Sequence, residues 1–137
     1  MGGGALTLCL DTHVLVWWLL DEGAMTAAQT EAMTIAEEKG ERIGLPAIAL
    51  WELAMLVDRG RLTLSRSEDV LFTQLETHPR LEILPLSPRI ALESTRLGPN
   101  FHRDPADRLI AATARVHGLR LLTADARIRD SAVVTVV

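Results

Sequence analysis

The sequence predicts an α/β fold, a three-layer α/β/α arrangement with a mostly parallel sheet covered by helices on both faces. Two observations carry this. Short apolar, strand-like runs alternate with helical segments along the whole chain, and most helical segments bring their own start or stop signal. In such sheets a ligand site lies beyond the carboxyl ends of the strands, where strand order reverses, which locates any chemistry before a motif is invoked.

Leu6-Thr7-Leu8-Cys9-Leu10 reads as a buried strand that stops at Asp11-Thr12, where a helix begins and continues through the apolar run 14–20. Residues 26–39 are helical in composition and Gly40 ends them. A short strand at 42–45 follows, then a helix that Pro46 opens and that runs through Asp58 to Gly60. Residues 67–78 form another helix, halted by Pro79; 81–84 is a strand closed by Pro85; 88–97 is helical; and 98–103 is a loop. Pro105 opens a helix to His117 that Gly118 closes. Residues 120–123 and 133–136 read as the last two strands, separated by a helical turn at 124–129.

At 137 residues, with no linker-like stretch, the chain is expected to form one domain, its first five residues disordered. Hydrophobic residues make up 48%, enough for a sizeable core, and charged residues make up 23%, too many for a membrane protein. The longest apolar run, 14–20, is far short of the roughly 18 residues that a span needs, and no basic region precedes the first apolar stretch. Cys9 is the single cysteine, which excludes an internal disulfide and a cysteine-based zinc site, and fits a reducing cytoplasm. The net charge of −4 is unevenly placed. Seven arginines face three aspartates between Arg96 and Arg129, a balance of +4 that leaves −8 for the rest, so this stretch is either a footprint for phosphate or a set of solvated helix faces.

The carboxylates are the informative residues. Asp11 follows the first strand directly and Asp125 follows a late strand by two residues, so both side chains emerge on one rim of the sheet; each could equally cap a helix. In Asp104-Pro105-Ala106-Asp107 the first acid stands at the cap, proline at the first helical position, and Asp107 at the third, from which it can project past the helix end. Glu52 has Ile48, Ala49, Met55 and Leu56 one turn to either side, and therefore sits in an apolar stripe. A charge there must be paired with a buried arginine or point into a polar pocket at the rim. Four acids converging on one rim need cations to coexist charged, and all-oxygen ligation suits Mg²⁺ or Mn²⁺.

These residues resemble the PIN-domain ribonucleases, and within them the VapC-type toxins of prokaryotic toxin–antitoxin pairs. The matching pieces are Leu10-Asp11-Thr12-His13 with Trp17-Trp18, then Ala49-Leu50-Trp51-Glu52-Leu53-Ala54, then His102-Arg103-Asp104-Pro105-Ala106-Asp107-Arg108-Leu109-Ile110-Ala111-Ala112, and finally Leu122-Thr123-Ala124-Asp125. The resemblance implies a five-stranded parallel sheet, metal ligands at Asp11, Glu52 and Asp107, Asp125 as a fourth acid and Asp104 as a helper. It also implies RNA cleavage by a metal-activated water, a homodimer, and inhibition by a small protein antitoxin. Ala106 departs from the subgroup, which often has a bulky aromatic there.

Two other folds with a strand-end aspartate fit less well. A haloacid-dehalogenase-like phosphatase needs a second aspartate where His13 stands, and a receiver domain needs a lysine after a late strand, whereas the only lysine is Lys39. The remaining alternative is a catalytically silent PIN-like module that binds protein or RNA. Arg103 and Arg108 are candidates for substrate phosphate or for pairing with Asp104 and Asp107. His13 and His102 lack metal-site spacing and read as structural. The helix holding Trp17 and Trp18 is apolar all round, so part of it is expected to meet a second subunit or an antitoxin.

Overall fold

Four parallel strands make the sheet in the computed structural model, which describes residues 4–21 and 23–137. Strands β1 (Leu6–Leu10), β2 (Arg42–Pro46), β3 (Leu81–Leu84) and β4 (Arg120–Leu122) lie in the order β3-β2-β1-β4. The chain steps outward from β1 to β2 to β3 and then returns to pair β4 with the free side of β1. The reversal point is therefore the gap between β1 and β4, the crevice at which such sheets bind ligands.

Side chains of alternate sign along each strand feed two cores. Leu8, Leu10, Ile43, Leu45, Leu81 and Leu122 face helices α1 (Thr12–Leu19), α2 (Ala27–Glu38), α3 (Ala47–Asp58) and α4 (Glu68–Thr77). Cys9, Leu84 and Leu121 belong to the opposite core, with Ile110, Ala111 and Ala114 of α6 (Pro105–His117) and Ile128 of α7 (Ala126–Ser131). This is the period-2 alternation of a pleated strand, with both faces covered as the sequence predicts. A short α5 (Pro88–Glu93) leads into α6. Gly44 lets the second core close: a Cβ there would lie 2.9 Å from Leu84 Cδ1 and 3.1 Å from Leu119 Cδ1.

Helix starts follow their caps. Thr26 and Gln29 form a reciprocal capping box on α2, Ser67 caps α4 and Ser87 caps α5. Gly118 ends α6 in the left-handed region, at φ 66°, where an L side chain would be strained.

Two expectations are corrected. Residues 133–136 do not form a fifth strand. Ala132 leaves α7 with φ 56°, and only the segment's end reaches β4, in a single parallel bridge between Leu121 and Val136. The helix expected over 88–97 stops at Glu93, because the Ser94 and Thr95 hydroxyls donate to the carbonyls of Ala91 and Leu92 and compete with the helical ladder. Trp17 and Trp18 are half-buried against the first core, and among the described residues Trp51 and Leu86 are the most exposed large apolar side chains, at 57% each. Residues 1–3 of the expected loose end lie outside the described residues, while the carbonyl of Ala5 already accepts the Arg42 N–H. No described helix is long and apolar enough to cross a membrane.

Candidate active site

The rim at the β1–β4 gap is built from strand ends and helix starts, which is why it collects acids. The backbone N–H of Asp11 continues the sheet by donating to the Leu122 carbonyl, and its side chain then caps α1 by accepting from Val14 N at 2.9 Å. The second carboxylate oxygen of Asp11 accepts from Thr123 Oγ1 at 2.5 Å and Ala124 N at 3.2 Å. Asp11 is thus buried, at 5% exposure, with three donors on its two oxygens. The Thr123 hydroxyl also accepts the Asp125 N–H at 3.0 Å, so one buried threonine joins the two acid-bearing segments.

Asp104 and Asp125 also cap helices. Asp104 accepts from Asp107 N, and Asp125 from Arg127 N. Asp107 has no such duty: it projects from the first turn of α6, and its Oδ2 lies 2.7 Å from His102 Nε2. The ligand atoms of His102, Asp107 and Asp125 all fall within 4.8 Å of one another, one group of side chains among the described residues able to hold a metal ion. Arg127 spans its two acids. Its guanidinium is 3.0 Å from Asp125 Oδ2 and 3.4 Å from Asp107 Oδ2, yet the side chain stays 61% exposed.

Glu52 approaches from α3. Its Oε1 accepts from Thr12 Oγ1 at 2.5 Å, and among the described residues it enters no ion pair, so the buried-arginine reading is excluded. Burial pushes its carboxyl above the ordinary value; the Thr12 hydroxyl pulls it down, the Asp107 and Asp104 charges push it up, and His13 lowers it. Burial likewise raises Asp107, against the pull of the His102 hydrogen bond and with the push of Asp104 and Asp125. Asp125 goes the other way. Burial alone would raise it, but the hydrogen bonds and charge of Arg127 hold it below the usual carboxylate range.

The raised acids predict a pH dependence with a definite sign. A carboxyl that titrates above its ordinary value favours the fold when protonated, so that contribution is present below the ordinary 4.5 of Glu52 and is lost as pH rises through the raised value. Glu52→Gln should therefore stabilise the metal-free protein at neutral pH. The gain should be at most about 1 kcal/mol, since solvent screens a half-buried group. Thermal melts in EDTA at acidic and neutral pH would show it as a rise in Tm at neutral pH that shrinks on acidification, and a large drop in Tm would refute the repulsion.

The structure thus gathers Asp107 and Asp125 with His102, brings Glu52 and Asp104 into electrostatic range, and holds Asp11 behind them through Thr123. Arg103 is exposed on the loop before α6. Arg108 is turned inward, donating to the carbonyls of Ser94 and Phe101 and lying over the Phe101 ring. It pairs with neither Asp104 nor Asp107. Much of the basic excess between Arg96 and Arg129 is similarly absorbed, Arg115 by Glu93 and Arg129 by the carbonyls of Thr123 and Val137. His13, expected to be structural, is exposed beside Glu52, whereas His102 is half-buried, stacked on Phe101 and bonded to an acid. Sequence reasoning passed over Arg127 and Thr123; the one available signal for Arg127 was its position in the first turn behind a capping aspartate.

Comparison with known proteins places these features. The PIN domain family matches the chain over residues 8–134. Ribonuclease VapC22 of Mycobacterium tuberculosis is 37% identical over 124 residues, covering 90% of this chain and 91% of that protein. Among solved structures, FitAcB from Neisseria gonorrhoeae superposes with a TM-score of 0.64 at 25% identity, covering 95% of this chain and 96% of that one. VapBC2 from Rickettsia felis, bound to a DNA fragment from its promoter, superposes at 0.70 and 17% identity, covering 96% and 97%, a likeness of fold alone.

Proposed function

The chain belongs to the PIN-domain family, and from that premise we propose that it is a metal-dependent endoribonuclease, the toxin of a toxin–antitoxin pair. The observation that carries this reading is the group of His102, Asp107 and Asp125 at the reversal point of the sheet, with Glu52 facing it. The similarity to a protein named as a ribonuclease supports the same reading.

The donor set fits a divalent cation. Asp107 is ionised only against burial and two neighbouring acids, a situation that a positive ion relieves, and carboxylate oxygens with one imidazole suit Mg²⁺ or Mn²⁺. Asp107, Asp125 and Glu52 would hold it, with Asp11 behind them and Asp104 as a helper. Bound there, such an ion supplies charge for an in-line displacement at phosphorus and makes water a competent nucleophile at neutral pH.

The chain's own residues prepare that chemistry. His102 orients the Asp107 carboxylate, Thr12 orients Glu52, and Thr123 fixes Asp11 and the backbone of Asp125. Arg127 is exposed and aimed at the cluster, so it is the guanidinium best placed to meet a phosphate oxygen. Arg103 is a second candidate; Arg108 is committed to the loop it braces. One domain, cytoplasmic, acting as a homodimer and silenced by a small protein antitoxin, completes the reading.

The test is direct. Purified protein should cleave RNA in Mg²⁺ or Mn²⁺ and stop in EDTA. Cleavage that persists in EDTA would refute the metal mechanism, and binding without cleavage in either metal would leave a silent RNA-binding module.

A further inference from the structure

Gln29 is buried, at 1% exposure, near the start of α2, a helix that carries none of the clustered acids. Burying an amide costs free energy unless its groups find partners, and here its oxygen and both of its N–H groups do. Its Oε1 accepts from Thr26 N at 3.1 Å, which completes the capping box. Its Nε2 donates to the Thr123 carbonyl at 3.1 Å and to the main-chain oxygen of Val137 at 3.2 Å.

The cap alone does not explain a glutamine. Glutamate serves the same position of a capping box and would accept from Thr26 N as well. Only an amide can accept there and also donate twice, so the choice of residue is set by the two oxygens that Nε2 meets. Arg129 of α7 meets the same two, its Nη2 donating to the Thr123 carbonyl at 3.1 Å and to the Val137 oxygen. Side chains from two separate helices therefore converge on the carbonyl of one buried residue.

That carbonyl belongs to the peptide plane whose other end is Ala124 N. A trans peptide is planar, with its C=O and N–H pointing in opposite directions, so fixing one fixes the other. The Ala124 N–H donates to Asp11 Oδ2 at 3.2 Å, the same oxygen that takes the Thr123 hydroxyl. Turned over, the plane would aim its carbonyl oxygen at the Asp11 carboxylate and repel it.

We propose that Gln29 and Arg129 are positioning residues of the acid cluster: they clamp the Thr123 carbonyl, which keeps the Ala124 N–H aimed at Asp11 and the Asp11 carboxylate at the rim where a divalent cation is expected. The inference rests on the metal-dependent reading above and deepens it, extending the site to two residues whose side chains bond to none of the acids. Outer groups of this kind orient a site without touching the ion, and their loss weakens metal binding by roughly tenfold to a hundredfold.

The test separates positioning from stability. Gln29→Met keeps the length of the side chain without its donors. Arg129→Met removes the other half of the clamp at a half-buried position, and keeps the proposal testable even where Gln29→Met fails to fold. Each should weaken Mn²⁺ binding, measured by calorimetry on the purified chain, by roughly tenfold or more. Arg129→Lys retains a donor and should recover most of the affinity. The Mn²⁺ concentration that gives half-maximal RNA cleavage should rise by the same factor, with KM for RNA unchanged. Thr26→Ala is the control: it removes the cap on Gln29 N without reaching Thr123, and should lower Tm while leaving Mn²⁺ affinity as it was. In NMR spectra of the metal-free protein the Ala124 amide proton should move upfield in both Met variants, as its bond to Asp11 is lost, and stay in place in Thr26→Ala.

An Ala124 amide that does not move in either Met variant would overturn the proposal. So would a loss of affinity in Thr26→Ala as large as in Gln29→Met, because affinity would then follow stability alone. If the wild type binds Mn²⁺ and both Met variants match it, only the clamp fails. If the wild type binds no Mn²⁺, the metal-dependent reading fails and takes the clamp with it.

Discussion

Asp107→Asn should reduce RNA cleavage by roughly a hundredfold to a thousandfold, the scale seen when one charge-stabilising group is removed from a reacting centre. The fold should survive. Asp107 caps no helix; its backbone N–H is taken by Asp104, and its side chain reaches only His102 and Arg127. An asparagine oxygen can still accept from His102. Burial and two neighbouring acids already disfavour the Asp107 charge, so neutralising it should leave the metal-free Tm unchanged or slightly higher. Activity would then separate from stability, which a structural role could not do. Single-turnover cleavage and a thermal melt of the same sample would check both halves, and a variant that cleaves at the wild-type rate would overturn the assignment of Asp107.

Thr123→Val should be the costlier change for stability. Thr123 is fully buried, donates to Asp11 Oδ2 and accepts from Asp125 N, and valine has nearly its shape without the hydroxyl. Asp11 would keep Ala124 N and Val14 N, but the half-buried Asp125 N–H would lose its side-chain partner. A lost charge-assisted hydrogen bond plus an orphaned donor amounts to about 2–4 kcal/mol. For a chain of 137 residues that is a fall in Tm of roughly 6–15 °C. Thr123→Ser retains the hydroxyl and should recover most of the loss. Equal urea midpoints for wild type and Thr123→Val would show that the bridge contributes nothing.

The legible parts of this protein are those where a local rule and the tertiary fold agree. Pro105 and Gly118 bound α6 because a fixed φ starts a helix and a left-handed residue ends one, and both hold regardless of neighbours. The strands before Asp11 and Asp125 are readable as short, mostly apolar runs, so the rim position of both acids follows. Glu52 stood out because a carboxylate inside an apolar stripe needs an explanation; its actual partner, the Thr12 hydroxyl, lies 40 residues away and leaves no local trace.

What the sequence does not show is long-range in the same sense. Residues 133–136 have the valines of a strand, but what decides strand formation is how much of β4 remains free to pair, and the exit from α7 allows one bridge. His102 reads as a structural histidine because its spacing matches no ligand pattern; its bond to Asp107 and its stacking on Phe101 come from the loop before α6, which leaves no trace in that spacing. Arg108 is the reverse case. A basic residue next to an acid reads as a substrate contact or as an ion-pair partner, and in the structure the carbonyls of Ser94 and Phe101 take up the guanidinium.

The β1–β4 pairing sets when a newly made chain could become active. Asp11 is synthesised early, but its buried partner lies 112 residues later, and the strand that carries it must dock beside β1 before the rim exists. At the roughly 5–20 residues per second of synthesis, several seconds separate the first acid from the last. During that interval the growing chain holds Asp11, Glu52, Asp104 and Asp107 without the edge that brings them to one crevice. A chain that ends before Thr123 would therefore hold Asp11, Glu52, Asp104 and Asp107 without the strand that draws the first of them to the rim.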